Sequence, residues 1–159
     1  MTPHPCSAIT AVLSLPAANL IMARWLWWLM AKTIRQTATI DAPPHAVYEA
    51  LTDSAKHSAF TGARATVDRR VGGRVSLFDG WASGTILELR KDSKIVQTWR
   101  SEDFAKSDPD SQLTILLSRV GRRTRLSMVH ANVPDGEYEA LKRGWTDYYW
   151  TPLKRYLKE

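Results

Sequence analysis

The stretch from Pro134 to Glu159 carries an apolar stripe that a helix standing alone in water could not sustain. Tyr138, Leu141, Trp145, Tyr148 or Tyr149, Leu153 and Leu157 recur at steps of three and four residues, the spacing of one face of an α-helix. Asp135 stands where an N-cap is wanted, and Glu137 puts negative charge into the first turn. Lys154, Arg155 and Lys158 put positive charge into the last turns, as the helix dipole favours at each end. Some two dozen residues make a helix of roughly 36 Å, the width of a small domain. So aromatic a face has to lie across a broad apolar surface, which the middle of the chain must supply. Two residues break helix rules. Gly144 costs about 1 kcal/mol relative to alanine; it reads first as close packing against a strand and second as room beside Trp145 for a ligand. Pro152 removes a backbone hydrogen bond and crowds the carbonyl of Tyr148. A kink is expected there rather than an end, because Leu153, Tyr156 and Leu157 continue the stripe.

The surface for that helix comes as one strand, a helix pair and a run of strands. Thr33–Ile40 alternates as a strand, with Ile34, Gln36, Ala38 and Ile40 on one side. Asp41-Ala42-Pro43-Pro44 opens a short helix with Val47, Tyr48 and Leu51 on its apolar side; Pro44 suits a first turn. Asp53 is placed to cap a second helix, Ser54–Phe60, stopped by Gly62. Arg74–Phe78 and Trp81–Arg90 flank Asp79-Gly80, a strong hairpin signal. Lys94–Arg100 follows after a turn at Lys91–Ser93, and Ser101–Asp110 is a polar loop. Gln112–Val120 and Arg123–His130 form a last hairpin around Gly121, with Thr124, Leu126, Met128 and His130 sharing one side. A meander of antiparallel strands needs only one dry face. The order therefore gives an α+β fold with the long helix laid on the sheet.

Residues 1–31 differ from all that follows. Arg24 is their only Lys, Arg, Asp or Glu, and Trp25-Leu26-Trp27-Trp28-Leu29 is more apolar than any later run. A signal peptide would place its positive charge before the apolar core, and here Arg24 comes after it. A membrane anchor over residues 8–31 has the length but is interrupted by Pro16, Asn19 and Arg24. The third reading, a start of translation at Met22 or Met30, fits the onset of regular structure at Lys32. The expected organisation is an apolar extension over residues 1–31 and one domain over residues 32–159.

Charge and special residues exclude several classes. The formal charge is +6, but the basic residues are scattered, without a basic helix or an aromatic-interleaved ribbon, so nucleic acid is not an expected partner. The single cysteine, Cys6, rules out an intramolecular disulfide framework and fits a reducing, cytoplasmic setting. No cysteine and histidine cluster has zinc spacing, and no glycine loop suits phosphates. Neither a metal nor a cofactor is expected, and no membrane partner unless residues 8–31 serve as an anchor.

The segment Val71-Gly72-Gly73-Arg74-Val75-Ser76-Leu77-Phe78-Asp79-Gly80-Trp81-Ala82-Ser83-Gly84, followed by Ile95-Val96-Gln97-Thr98-Trp99-Arg100, resembles the homologues of the activator of heat-shock protein 90 ATPase. That family lies within the START-like (Bet v-like, SRPBCC) superfamily. Val133-Pro134-Asp135-Gly136-Glu137 and Gly144-Trp145 with the tyrosine-rich remainder are similar to its C-terminal helix. The likeness runs from Lys32 to Glu159 in the family's order. It implies a helix-grip fold: a curved antiparallel sheet wrapped around the long C-terminal helix, with two short helices after the first strand and a cavity between helix and sheet. It also implies a heat-shock chaperone as one possible partner and a small hydrophobic or aromatic ligand as another.

If the helix covers the concave face, the cavity residues are Tyr48 and Phe60 from the short helices, and Leu77, Trp81, Leu87 and Trp99 from the middle strands. Leu126, Met128 and His130 come from the last strand, and Tyr138, Leu141, Trp145 and Tyr149 from the long helix. Such a wall suits a planar or acyl ligand, although buried aromatics are most often plain core. His130 is the one member that titrates near neutrality. As a catalyst it would need Tyr138 or Asp135 across the strand-to-helix turn. Glu88 is expected to face solvent, Asp79 to sit in a turn and Arg100 to lie at a surface or rim, so no triad or carboxylate pair emerges. The expected function is a non-catalytic domain that binds a small hydrophobic ligand, a chaperone, or both. The alternative is a polyketide cyclase- or lyase-like enzyme using His130 and a tyrosine.

Overall fold

The computed structural model describes residues 31–158, so the readings of the apolar extension lie outside the described residues. Strands β1 (Lys32–Ile40), β2 (Thr66–Val67), β3 (Arg74–Leu77), β4 (Ala82–Arg90), β5 (Lys94–Ser101), β6 (Ser111–Val120) and β7 (Arg123–Val133) make one sheet. Their order is β1-β7-β6-β5-β4-β3-β2, and every neighbouring pair is antiparallel. Helices α1 (Pro44–Thr52) and α2 (Ser54–Thr61) bridge β1 to the far edge of the sheet. The curved sheet grips the C-terminal helix, as the helix-grip expectation requires.

Local chemistry accounts for the ends of these elements. Pro44 occupies the first turn of α1, where its missing N–H is no loss. The Asp53 side chain accepts a hydrogen bond from the Lys56 N–H and so caps α2, which Gly62 closes at φ 75°. Strand β2 has only two residues, too short for alternation to reveal it; Ser54 holds it by accepting from the Val67 N–H at 2.8 Å. On β7, Thr124, Leu126, Met128 and His130 all point inward and are wholly buried.

Two bulges bend the sheet. At one, Ile86 pairs with Gln97 and Glu88 with Val96, which leaves Leu87 as the extra residue of β4. Ala82, Gly84 and Ile86 face inward on this strand, and Leu87 is 45 % exposed. The expectation that Leu87 faces the helix is thereby corrected: the strand starts one residue later than Trp81, and its inward parity is even. At Gly84 the neighbouring strand comes so close that any Cβ would strike the Thr98 carbonyl, so only glycine fits. The second bulge lies where β7 passes β1, with Asn132 at φ 61°, a conformation asparagine tolerates.

The long helix differs from the regular one expected. A 3-10 turn, Asp135–Glu137, leads into α3 (Tyr138–Gly144), then a π-helical segment (Trp145–Trp150), then α4 (Thr151–Lys158). Asp135 does not cap it; its carboxylate pairs with Lys32 at 2.9 Å instead. In the π segment the bonds run five residues back, as from Thr151 N–H to Thr146 C=O. The wider turn stacks Trp145 on Trp150 at 5.5 Å and buries Tyr149 and Trp150 side by side. Tyr148 is thereby turned out, 65 % exposed. The loosened turn also carries the helix past Pro152, which has no N–H to offer. Gln36 fastens the arrangement to β1: its amide donates to the Lys142 carbonyl and accepts from the Trp150 indole, both at 2.8 Å.

Candidate functional site

Between helix and sheet lies a void of about 20 Å³, bordered by Leu77, His57, Gln97, Trp145 and Tyr149, room for about one water. A larger space lies at one end of the grip. There the β3–β4 turn, the loop between β5 and β6, and the start of the long helix surround a cleft of about 200 Å³.

Each wall of that cleft has a local cause. Leu77 pairs with Ala82, so the turn between them has four residues, Phe78 to Trp81. Phe78, Asp79 and Gly80 all have positive φ, 53°, 58° and 93°. That is a rare conformation for an aromatic residue. Arg64 holds it: the Asp79 carboxylate accepts from the Arg64 N–H at 3.1 Å, and the Asp79 N–H donates to the Arg64 carbonyl at 3.0 Å. The result places the Phe78 ring against Tyr149 (5.4 Å) and Trp81 (6.2 Å). The loop after β5 is fixed by Arg100, whose guanidinium donates to the carbonyls of Ala105 and Asp108 and to the Asp110 carboxylate. Arg100 is thus a rim residue that shapes the loop carrying Asp103. Gly144, on the helix, opens onto the cleft. A Cβ there would meet only the Tyr148 ring, at 3.7 Å, so close packing against a strand is not its role.

Of the residues expected at a cavity, Trp81, Trp99, Leu141, Trp145 and Tyr149 line this cleft. Leu77 borders only the small void. Tyr48, Phe60, Leu126, Met128 and His130 are buried in the core and border neither space. Leu87 is on the outer face, and Tyr138 is half-buried beside Lys32 and Lys142. Phe78, Asp103, Glu137, Ala140 and Tyr148 complete the lining. Sequence alternation could not find these: Phe78, Asp103, Glu137 and Tyr148 stand in turns, in a loop or on the outward edge of a π-helical turn, and Ala140 is an exposed residue of α3.

Both buried histidines are locked as neutral rings. His130 Nδ1 accepts from the Trp145 indole N–H at 3.1 Å, so its proton resides on Nε2 and goes to Ser111 Oγ at 2.7 Å. The Ser111 hydroxyl in turn donates to the Trp99 carbonyl at 2.7 Å. Burial pushes the His130 pKa down to about 3. The anticipated partners are elsewhere: Asp135 pairs with Lys32, and the contacts of His130 are to Ser111, Trp99 and Trp145. His57 donates from Nδ1 to the Leu51 carbonyl and accepts on Nε2 from the Tyr149 hydroxyl. Burial lowers its pKa to about 4, against the raising effect of the Leu51 carbonyl, and burial also pushes the Tyr149 phenol far up. Glu137 at the rim is shifted upward, first by burial and then by the charges of Asp103 and Asp108.

The family model for Activator of Hsp90 ATPase homolog 1-like protein matches residues 41–158. The chain belongs to that family. An uncharacterized protein of Schizosaccharomyces pombe is 34% identical over 121 residues, 76% of this chain and 36% of the relative. The activator of 90 kDa heat shock protein ATPase homolog of Dictyostelium discoideum is 33% identical over 115 residues, 72% of this chain and 30% of the relative. The chain thus spans about a third of the length of the curated relatives it matches. Among solved structures, an HSP90 activator from Plasmodium falciparum superposes with a TM-score of 0.74 at 30% identity, covering 79% of this chain and 96% of that one. Among the described residues of this Hsp90-activator-like domain, no helix is long and apolar enough to cross a membrane.

Proposed function

We propose that this domain is a non-catalytic binding module whose cleft holds a small hydrophobic or aromatic ligand. The observation that carries the reading is the cleft itself, about 200 Å³ of space walled by Phe78, Trp81, Trp99, Trp145, Tyr148 and Tyr149. Concave, mostly aromatic sites with a few polar groups are what small ligands occupy. The polar machinery of the interior supports binding over turnover, because both ring nitrogens of His130 and of His57 are engaged in hydrogen bonds. Apolar burial contributes about 25 cal/mol per Å², so about 300 Å² of ligand surface gains several kcal/mol before entropic costs. The expected affinity is therefore micromolar or weaker.

Titration with one-ring aromatics and medium-chain fatty acids should quench the tryptophan emission in a saturable way. No saturable change with any member of that panel would remove the ligand reading.

A second reading, contact with a heat-shock chaperone in the cytoplasm, is favoured by the names of the relatives, which are activators of that chaperone's ATPase. Purified chaperone whose ATPase rate and sedimentation are both unchanged by this chain would argue against it.

A further inference from the structure

Resting on the second reading above, we infer that the chain meets its protein partner through the hairpin end of the sheet's outer face, and that the partner's surface there is acidic around an apolar centre. Topology gathers what the sequence scatters. The turns between β4 and β5 and between β6 and β7 lie at the same end of the antiparallel sheet. Lys94 pairs there with Leu116, and the Leu117 N–H donates to the Ser93 carbonyl at 2.8 Å. This arrangement brings Lys91, Arg119, Arg122 and Arg125 to one end of the molecule, all exposed.

The carboxylates of that end are already engaged. Asp41 pairs with Arg123, Asp92 with His45, and Glu88 with both Arg90 and Lys94. Among the described residues, Lys91, Arg119, Arg122 and Arg125 form no ion pair. A surface of that sign attracts an acidic one and speeds the encounter with it.

A second observation is apolar and independent of charge. Strand alternation turns Leu116 and Val120 of β6 outward, and they are 45 % and 49 % exposed. Leu116 stands between Lys94 of β5 and Ser127 of β7, and Val120 stands opposite Arg123. Exposed aliphatic side chains set among arginines have the anatomy of a protein interface, with an apolar centre and a charged rim. The same two residues favour a protein over other anionic partners. Val120 and Leu116 are about 13 Å apart along the strand, so a bilayer touching the hairpin tip reaches the valine and misses the leucine. A nucleic-acid backbone offers phosphates to the arginines and nothing to the leucine. An acidic protein surface with an apolar centre meets both.

The 90 kDa heat shock protein named by the relatives is the candidate partner, and calorimetry with the purified chaperone and the full chain tests the face. The triple variant Lys91→Glu, Arg122→Glu, Arg125→Glu should weaken binding about tenfold or more at low salt. The gap should shrink at high salt, where exposed charges are screened. Leu116→Ser should weaken binding several-fold at both salt concentrations. A control triple on the helices, Lys56→Glu, Arg143→Glu, Lys154→Glu, makes the same change in net charge at exposed positions and should stay within about threefold of the parent. Equal losses in the two triples would show that net charge alone acts and would overturn the assignment of the face. Parent-like affinity in the first triple and in Leu116→Ser would overturn it as well and leave the chaperone reading intact. Binding of the parent to phosphatidylserine vesicles, lost in the first triple while chaperone binding is kept, would give the face to a bilayer instead. No binding of the chaperone by the parent would remove the chaperone reading and this face with it.

Discussion

At the scale of single residues, Gly144 separates stability from binding. Its φ of −61° and ψ of −37° are helical, so alanine fits the backbone, and the added methyl meets only Tyr148 at 3.7 Å, an ordinary contact. Glycine to alanine in a helix interior contributes about 0.5–1 kcal/mol. Gly144→Ala should therefore raise the melting temperature by a few degrees and, by narrowing the cleft, weaken ligand binding. A variant that is no more stable, or that binds as well as the parent, would show that the glycine does not keep this space open. The sequence offered both readings of Gly144 and no means to choose, since the choice depends on which way the neighbouring Tyr148 turns. His130 posed the same difficulty: its place on the inward side of β7 could be read from alternation, but the Ser111 and Trp145 contacts that fix its tautomer come from distant parts of the chain.

At the scale of elements, alternation is informative only while the register is unbroken. The strands β1 and β7 follow it over most of their length, and the residues expected inside are inside. Strand β4 follows the opposite parity because it begins at Ala82, after a four-residue turn, and the bulge at Leu87 then shifts the phase again. This gives a paired prediction. Leu87→Lys, on the outer face, should change stability by no more than about 0.5 kcal/mol, whereas Ile86→Ala, at 2 % exposure, should cost about 2–5 kcal/mol. Urea unfolding of the two variants checks it, and the reverse order would mean that the strand is out of register by one. The C-terminal helix shows the same limit. Its stripe marked Leu141, Trp145 and Leu153 correctly and left Tyr148 or Tyr149 open, of which Tyr149 is the buried one, but a spacing of three and four could not foresee Trp150, which a π-helical turn brings inward.

At the scale of the whole molecule, two neutral histidines inside one core tie the fold to pH. His57 sits between α2 and the long helix, and His130 between β6, β7 and the same helix. In the unfolded chain each takes up a proton near pH 6.5, but in the folded protein burial lowers their pKa values to about 4 and about 3. Between those values and 6.5 the unfolded state binds more protons than the folded one, so stability falls as pH falls. Above about pH 6.5 the contribution is fully present. Below it, each histidine should remove on the order of 1 kcal/mol per pH unit until its folded pKa is reached. The ion pairs at the surface, such as Lys32 with Asp135 and Arg123 with Asp41, contribute little to this window, being exposed. Urea midpoints measured from pH 7.5 to 5 should hold steady above pH 7 and then decline. His57→Gln keeps a donor for Leu51 and an acceptor for Tyr149 but does not titrate, so its decline between pH 6.5 and 5 should be about half as steep. A parent protein equally stable at pH 7 and pH 5 would mean that the histidines are not held neutral, and with them the helix would not be seated on the sheet as its contacts to His57 and His130 require.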